Sequence, residues 1–287
     1  MVEESVRLSS VRVHKFIRIG REKTGKLGRG WLGLLENVPW APPSSGLPRN
    51  PARSPRQSRG IPCGPSDDQV SASIEVEFEY CYPGDLSVTA KYSLPSSTSL
   101  KLEMEAVPLN KATPVNLAQH TYWNLAGHNS GNILDHTIQI RASHLTPVDK
   151  NLIPTGEIMP VSGTCFDFTT EKKIGSRIHE LQVGYDHNYV LDCGEERSGL
   201  KHAAKVKDPS SSRVLDLWTD APGMQFYTGN YVDGIVGKGS AVYGKHAALC
   251  LETQGFPNAI NQPNFPSVVV QPGEKHKHTM LFEFSTD

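Results

Sequence analysis

From Ser71 onward the chain breaks into short runs rich in Val, Ile, Tyr, Phe and Thr, separated by Gly, Pro, Asn and Asp, and this pattern limits the fold more than any other feature. Ile74-x-Val76-x-Phe78-x-Tyr80 alternates with Glu75, Glu77 and Glu79, the period-two arrangement of a half-buried strand. Leu86 to Leu94, Leu100 to Ala106, Ile138 to Arg141, Tyr189 to Leu191, Val214 to Trp218, Ala247 to Glu252 and Thr279 to Phe284 read the same way. Lys172 to Leu181 alone reads as a short helix. Many short strands without alternating long helices predict an all-β domain over residues 67–287, a large antiparallel β-sandwich or barrel. Side chains on such strands alternate between faces, so one face builds the core while the other can present polar groups to a flat, polar ligand.

The first 66 residues are a different kind of sequence. They hold twelve Lys/Arg against four Asp/Glu, a net of +8, whereas the whole 287-residue chain carries a net charge of -1. Eight of the 21 prolines fall between Val38 and Pro65, with Ser, Gly and Arg between them. Prolines at that density remove backbone donors and fix φ, so neither helix nor central strand propagates. Residues 1–66 are therefore expected to form a basic, largely disordered leader. A tail with no packing role is the plain reading; a transit peptide or a nucleic-acid arm are the alternatives. Gly28-x-Gly30-x-x-Gly33 inside it matches a dinucleotide fingerprint, but Pro39 leaves room for about one helical turn, and no Asp or Glu between Glu36 and Asp67 is present to hold a ribose.

Other classes fall away by absence of their signatures. No apolar run approaches the ~18 residues of a membrane helix, and no signal-peptide core follows the N-terminus. The five cysteines, Cys63, Cys81, Cys165, Cys193 and Cys250, are scattered, odd in number and never in C-x-x-C spacing, which predicts reduced packing residues and a reducing, cytoplasmic compartment. No N-x-Ser/Thr acceptor argues for secretion. There is no H-E-x-x-H or comparable ligand spacing and no G-x-S-x-G elbow, so neither a metal site nor a serine nucleophile is expected.

Polar groups concentrate among apolar neighbours in four segments: Asn116 to Leu125, Gly184 to Val190, Gly223 to Asn230 and Leu251 to Pro257. Glu252 is the most informative. It ends the run Ala247-Ala248-Leu249-Cys250-Leu251, where a carboxylate is excluded unless it is paired or functional. Taken alone, Glu252 reads equally as a salt-bridged residue at a strand end, and His120, before Tyr122 and Trp123, as a hydrogen-bonded core histidine.

The order of these segments resembles the aldose 1-epimerase, or galactose mutarotase, family. The residues that carry the resemblance are Ala112 to Gly127 with His120-Thr-Tyr-Trp-Asn, Leu145-Thr-Pro-Val-Asp to Glu157, Tyr185-Asp186-His187-Asn188, Gly223-Met-Gln225-Phe-Tyr-Thr-Gly-Asn230, Leu251-Glu252-Thr-Gln254, and Asn261-Gln262-Pro263. The match runs from about Tyr82 to the C-terminus. It implies a galactose mutarotase-like antiparallel β-sandwich that interconverts the α and β anomers of free hexoses such as glucose and galactose. It also implies His120 as general acid, Glu252 as general base, and Asp186 and Gln225 as the groups that hold sugar hydroxyls. No cofactor or metal is implied, and a monomer acting on a small aldose, without nucleic acid or membrane, is expected.

The chemistry suits those residue types. Ring opening takes the proton from the C1 hydroxyl and protonates the ring oxygen; the C1–C2 bond rotates, and reclosure reverses the two roles. With reference pKa values near 4.3 and 6.5, a free glutamate is ionised at neutral pH while about a quarter of free histidine is protonated, and a nearby negative group such as Asp186 raises that share. The expectation is an acid and a base held on opposite sides of the pyranose by neighbouring strands. The sequence also departs from the family. An Asn-Arg pair and a Leu-His-Gly-Gly motif, whose Arg and His contact sugar in full members, are absent upstream of Tyr82-Pro-Gly-Asp-Leu. An N-terminally incomplete domain, with weakened or lost activity and exposed sheet edges, is the implied consequence; a sugar-binding homologue without turnover is the alternative function.

Overall fold

The computed structural model describes Tyr82 and residues 84–287 in full, together with the backbone of three earlier strands, Val2–Leu8, Val11–Ile17 and Ser71–Phe78. Apart from the first two of those strands, the expected disordered leader, with its Gly28–Gly33 run, lies outside the described residues.

Two antiparallel sheets pack face to face. The larger has nine strands, in the order Lys172–Lys173, Thr137–Ile140, Leu200–Lys207, Arg213–Thr219, His276–Thr286, Ser99–Pro108, Leu86–Ser96 and Ser71–Phe78, with Glu196–Arg197 pairing beside Leu200–Lys207. The smaller has five: Met159–Pro160, His144–Thr146, Asp186–Val190, Gly223–Tyr227 and Cys250–Gln254. The Ile74-Val76-Phe78 alternation falls within the Ser71–Phe78 strand, whose register sets Ile74, Val76 and Phe78 opposite Ala90, Val88 and Leu86.

Alternation decides which side of each strand meets the other sheet. From the larger sheet come Leu102, Met104, Ile138, Ile140, Val206, Leu215, Leu217, Met280 and Phe282; from the smaller come Leu145, Tyr189, Met224, Phe226 and Leu251, all in one buried cluster. Phe226 anchors it, stacked on Tyr185 and edge-on to Phe168 and Tyr189. Aromatic side chains of this size contribute the largest apolar burial in such a core.

The helix expected over Lys172–Leu181 does not form. A two-residue strand, Lys172–Lys173, gives way to two 3-10 turns, Ile174–Ser176 and Ile178–Glu180. The N–H groups of Ile174 and Gly175 donate to the carbonyls of His136 and Leu134 at 2.9 and 2.8 Å, not to carbonyls four residues back. The segment is held to its neighbour across the sheet edge, so tertiary hydrogen bonds override a weak local propensity.

One buried polar tie crosses between the sheets. The imidazole of His278, on the larger sheet, donates from Nδ1 to the Leu117 carbonyl at 3.1 Å, since a carbonyl can only accept. Its Nε2 is then the acceptor, and the Thr253 hydroxyl of the smaller sheet donates to it at 3.0 Å. Burial pushes the His278 pKa down to about 4 from 6.5, against the opposing pull of Asp220, so the ring is neutral at physiological pH. Unfolded His278 takes up its proton below pH 6.5 while the folded group resists until about 4. This contribution is therefore complete above pH 6.5 and is lost as pH falls toward 4. Denaturant unfolding between those limits is expected to show falling stability, with a shallower slope in His278→Gln; an unchanged slope would refute the assignment.

Candidate functional site

The His120 segment reaches its place by an antiparallel count. Trp123 and Leu249 exchange backbone hydrogen bonds at 2.7 and 2.9 Å, forming an isolated bridge. Continuing from that pair brings residue 120 opposite residue 252. The alignment is clamped at the far end by Asn116, whose Oδ1 accepts from Gly255 N at 2.8 Å and whose Nδ2 donates to Gly255 O at 2.9 Å. At the near end Asn124 Nδ2 donates to the Ala247 carbonyl at 2.9 Å. Between these ties His120 Nε2 comes within 3.3 Å of Glu252 Oε1, with only 6% and 1% of the two side chains exposed.

Sheet register then assembles the neighbours. Thr146, Asn188, Gln225 and Glu252 are directly opposite one another across four adjacent strands, so all four point to one face. One step along the strands, Asp186, Tyr227 and Cys250 form a second row on that face. The opposite face carries Tyr189, Met224, Phe226 and Leu251 into the core. A polar face and an apolar face thus alternate along the same strands. Gly223 continues the polar face toward its edge. A Cβ there would stand 2.6 Å from Asn188 Oδ1 and 2.9 Å from the Phe256 ring, so only glycine fits.

Within the face the amides are fixed in direction. Gln225 Nε2 donates to Asp186 Oδ1 at 2.8 Å, and Asn188 Nδ2 to Thr146 Oγ1 at 3.3 Å. These bonds leave Gln225 Oε1 and Asn188 Oδ1 buried without a partner among the described residues. Tyr227 stands edge-on to the His120 ring at 6.0 Å, and Tyr122 tilts against it at 5.0 Å. Burial pushes the Tyr227 pKa up to about 12, so its hydroxyl stays protonated, and it accepts a hydrogen bond from Tyr231 N at 3.1 Å. Burial also holds His187, on the reverse side of the strand, down to about 4.

All four residues singled out from sequence, His120, Asp186, Gln225 and Glu252, therefore lie on or against one sheet face. His120 and Glu252 touch each other rather than standing apart. Asn188, Thr146, Tyr227 and Cys250 share the face and were not singled out. Their signal was present, since Asn188, Tyr227 and Cys250 each lie two residues from a selected one on the same strand. Cys250 Sγ and one ligand atom each of His120 and Glu252 lie within 4.8 Å of one another, a cluster no sequence spacing announces because its members come from separate segments.

Comparison with known proteins identifies the family. Residues 57–283 match the family model described as Aldose 1-epimerase. The chain belongs to the aldose 1-epimerase family. It is 47% identical over 214 residues to the galactose mutarotase of Sus scrofa and 46% identical over 215 residues to that of Homo sapiens, in each case 74% of this chain and 61% of the relative. The aldose 1-epimerase of Escherichia coli K12 is 32% identical over 210 residues. The chain thus spans about three fifths of the length of the relatives it matches. Among solved structures, an aldose epimerase homologue from C. elegans aligns with TM-score 0.68 and 25% identity over 75% of this chain and 66% of its own. A galactose 1-epimerase from Lactobacillus acidophilus aligns with TM-score 0.65 and 26% identity over 77% and 64%. The fold is the galactose mutarotase-like β-sandwich. Among the described residues no helix is long and apolar enough to cross a membrane.

The Asn116 clamp generates an expectation of its own. Asn116→Ala removes both hydrogen bonds to the half-buried Gly255 backbone, at a cost of about 1–3 kcal/mol. Urea unfolding measures it, and a variant as stable as its parent would show that the clamp does not hold the segment.

Proposed function

We propose that the chain is an aldose 1-epimerase that interconverts the anomers of free hexoses, glucose and galactose among them, with Glu252 as general base and His120 as general acid. The observation that carries this reading is the 3.3 Å approach of His120 Nε2 to Glu252 Oε1 on a buried polar sheet face. The two oxygens that exchange protons in the reaction, the C1 hydroxyl and the ring oxygen, are bonded to one carbon. An acid and a base side by side can therefore each reach one of them at hydrogen-bond distance, about 2.6–3.2 Å.

The reaction runs as a proton cycle. Glu252 removes the C1 hydroxyl proton, the C1–O bond to the ring oxygen breaks, and protonated His120 delivers its proton to that oxygen, giving the open aldehyde. After rotation about C1–C2, neutral His120 takes back the proton of the attacking hydroxyl while Glu252 returns its own to the carbonyl oxygen. The pair ends as it began. Gln225 Oε1 and Asn188 Oδ1 supply acceptors for sugar hydroxyls. Asp186 fixes the direction of the Gln225 amide by accepting from its Nε2. Preorganised groups of this kind contribute without reorganising during the reaction. On the same reading the protein is a cytoplasmic monomer needing no cofactor.

Polarimetry of fresh α-D-glucose tests the reading. The chain is expected to accelerate the approach to anomeric equilibrium, and Glu252→Gln to lose on the order of 10²–10⁴ of that acceleration, the range supplied by one general base. A fully active Glu252→Gln would remove it from the mechanism. Thermal stabilisation by sugar without any turnover in the parent would mark a sugar-binding relative instead.

A further inference from the structure

Cys250 has no part in the proton cycle, yet its sulfur lies among the groups that run it. Cys250 and Glu252 are two residues apart on one strand and face the same way, while His120 meets that strand from the neighbouring segment. One ligand atom from each lies within 4.8 Å of the other two, and all three residues are buried.

We propose that this cluster is a site for a thiophilic divalent cation of the zinc type, and that an ion seated there blocks anomer exchange. The donor set selects the ion. Thiolate, imidazole and carboxylate together are ligands that zinc accepts, whereas magnesium and calcium require shells of oxygen. The geometry agrees where it is tightest. Nitrogen and oxygen ligands at about 2.0–2.2 Å from a tetrahedral zinc are separated by about 3.3–3.5 Å. The His120 Nε2 to Glu252 Oε1 distance is 3.3 Å. Cys250 supplies the third corner, giving up its thiol proton to solvent as the thiolate binds. Three protein ligands leave the fourth position open, as in zinc sites that also hold water.

Blocking follows from the shared atoms. The ion engages the Glu252 carboxylate and the His120 lone pair, the same groups that would carry protons to and from the sugar. Occupancy and turnover then exclude each other. The blocking half of the proposal rests on the anomer-exchange reading; the binding half does not.

The experiment uses the full chain, reduced and freed of metal, with cobalt(II) as a spectroscopic probe. Binding at the cluster is expected to produce a near-ultraviolet thiolate-to-cobalt absorption band that zinc displaces. In Cys250→Ser that band disappears, and zinc affinity, read from the zinc-dependent rise in melting temperature, weakens more than about tenfold, the lower end of what even outer-shell partners cost. Should Cys250→Ser fail to fold cooperatively, Cys250→Ala takes its place. A band that never forms, or that persists in the folded variant because another cysteine provides it, overturns the site. In parallel, polarimetry with increasing zinc compares each protein with its own zinc-free rate. Inhibition of the parent is expected at zinc concentrations that saturate the cobalt-competition signal, with more than about tenfold higher zinc needed for the variant. A bound metal that leaves exchange unslowed overturns the blocking half. A parent inactive without zinc refutes the mutarotase reading, while the cobalt band still decides the metal site.

Discussion

The alignment of residues 116–124 along the Cys250–Gln254 strand is the constraint on which the site depends. His120 is not on a long ladder strand. It sits in a stretch tied to its neighbour by a backbone bridge at Trp123 and by side-chain amides at Asn116 and Asn124. A slip of one residue would turn His120 away from Glu252, because the side-chain period of extended chain is two. The asparagine uses its amide as a surrogate peptide group, donating and accepting to Gly255 as a paired backbone residue would. Register is therefore fixed by a side-chain amide bonded to backbone as well as by the backbone bridge itself.

The same period of two lets each strand of the smaller sheet serve two purposes. In Gly223–Tyr227, Met224 and Phe226 enter the core while Gln225 and Tyr227 face the site. In Cys250–Gln254, Leu251 enters the core, and Thr253 meets the His278 tie from the larger sheet directly behind Glu252. Core packing and site geometry are thus coupled through shared backbone. The polar tie also orients that backbone, since His278 bonds both the strand bearing Glu252 and the carbonyl of Leu117, in the stretch leading to His120. Close-packed interiors transmit small displacements, so this buried imidazole helps to align the two segments that carry His120 and Glu252.

Much of this was legible in sequence where local pattern and global fold agree. The strands at Leu86, Leu100, Val214 and Thr279 were readable because burial on one face writes alternation directly into residue type. The four expected site residues were readable through family motifs, and their convergence required only that those motifs lie on adjacent strands. Other features were not readable, for physical reasons. Lys172–Leu181 has the composition of a short helix, and what turns it into strand and 3-10 turns is a pair of hydrogen bonds to residues 134 and 136, contacts that no local window contains. The closeness of Cys250 to His120 depends on strand order in the same way. Asn188 is the intermediate case: its i, i+2 spacing from Asp186 marks it as facing the site, once the segment is known to be a strand.

Two buried oxygens, Gln225 Oε1 and Asn188 Oδ1, remain without protein partners among the described residues, and this has an energetic meaning. A buried acceptor left unsatisfied costs about 1–3 kcal/mol, and folded proteins keep few of them. Here both amides are held by their nitrogens, to Asp186 and Thr146, so neither can turn to repair the loss. Glu252 shares the face with these two amides, whereas the side-chain amides of Asn116, Asn124 and Asn230 donate to the backbone carbonyls of Gly255, Ala247 and Tyr185. On the proposed anomer-exchange reading, these two oxygens are the acceptors to which sugar hydroxyls donate, and the groups that cost folding energy are the groups that orient substrate.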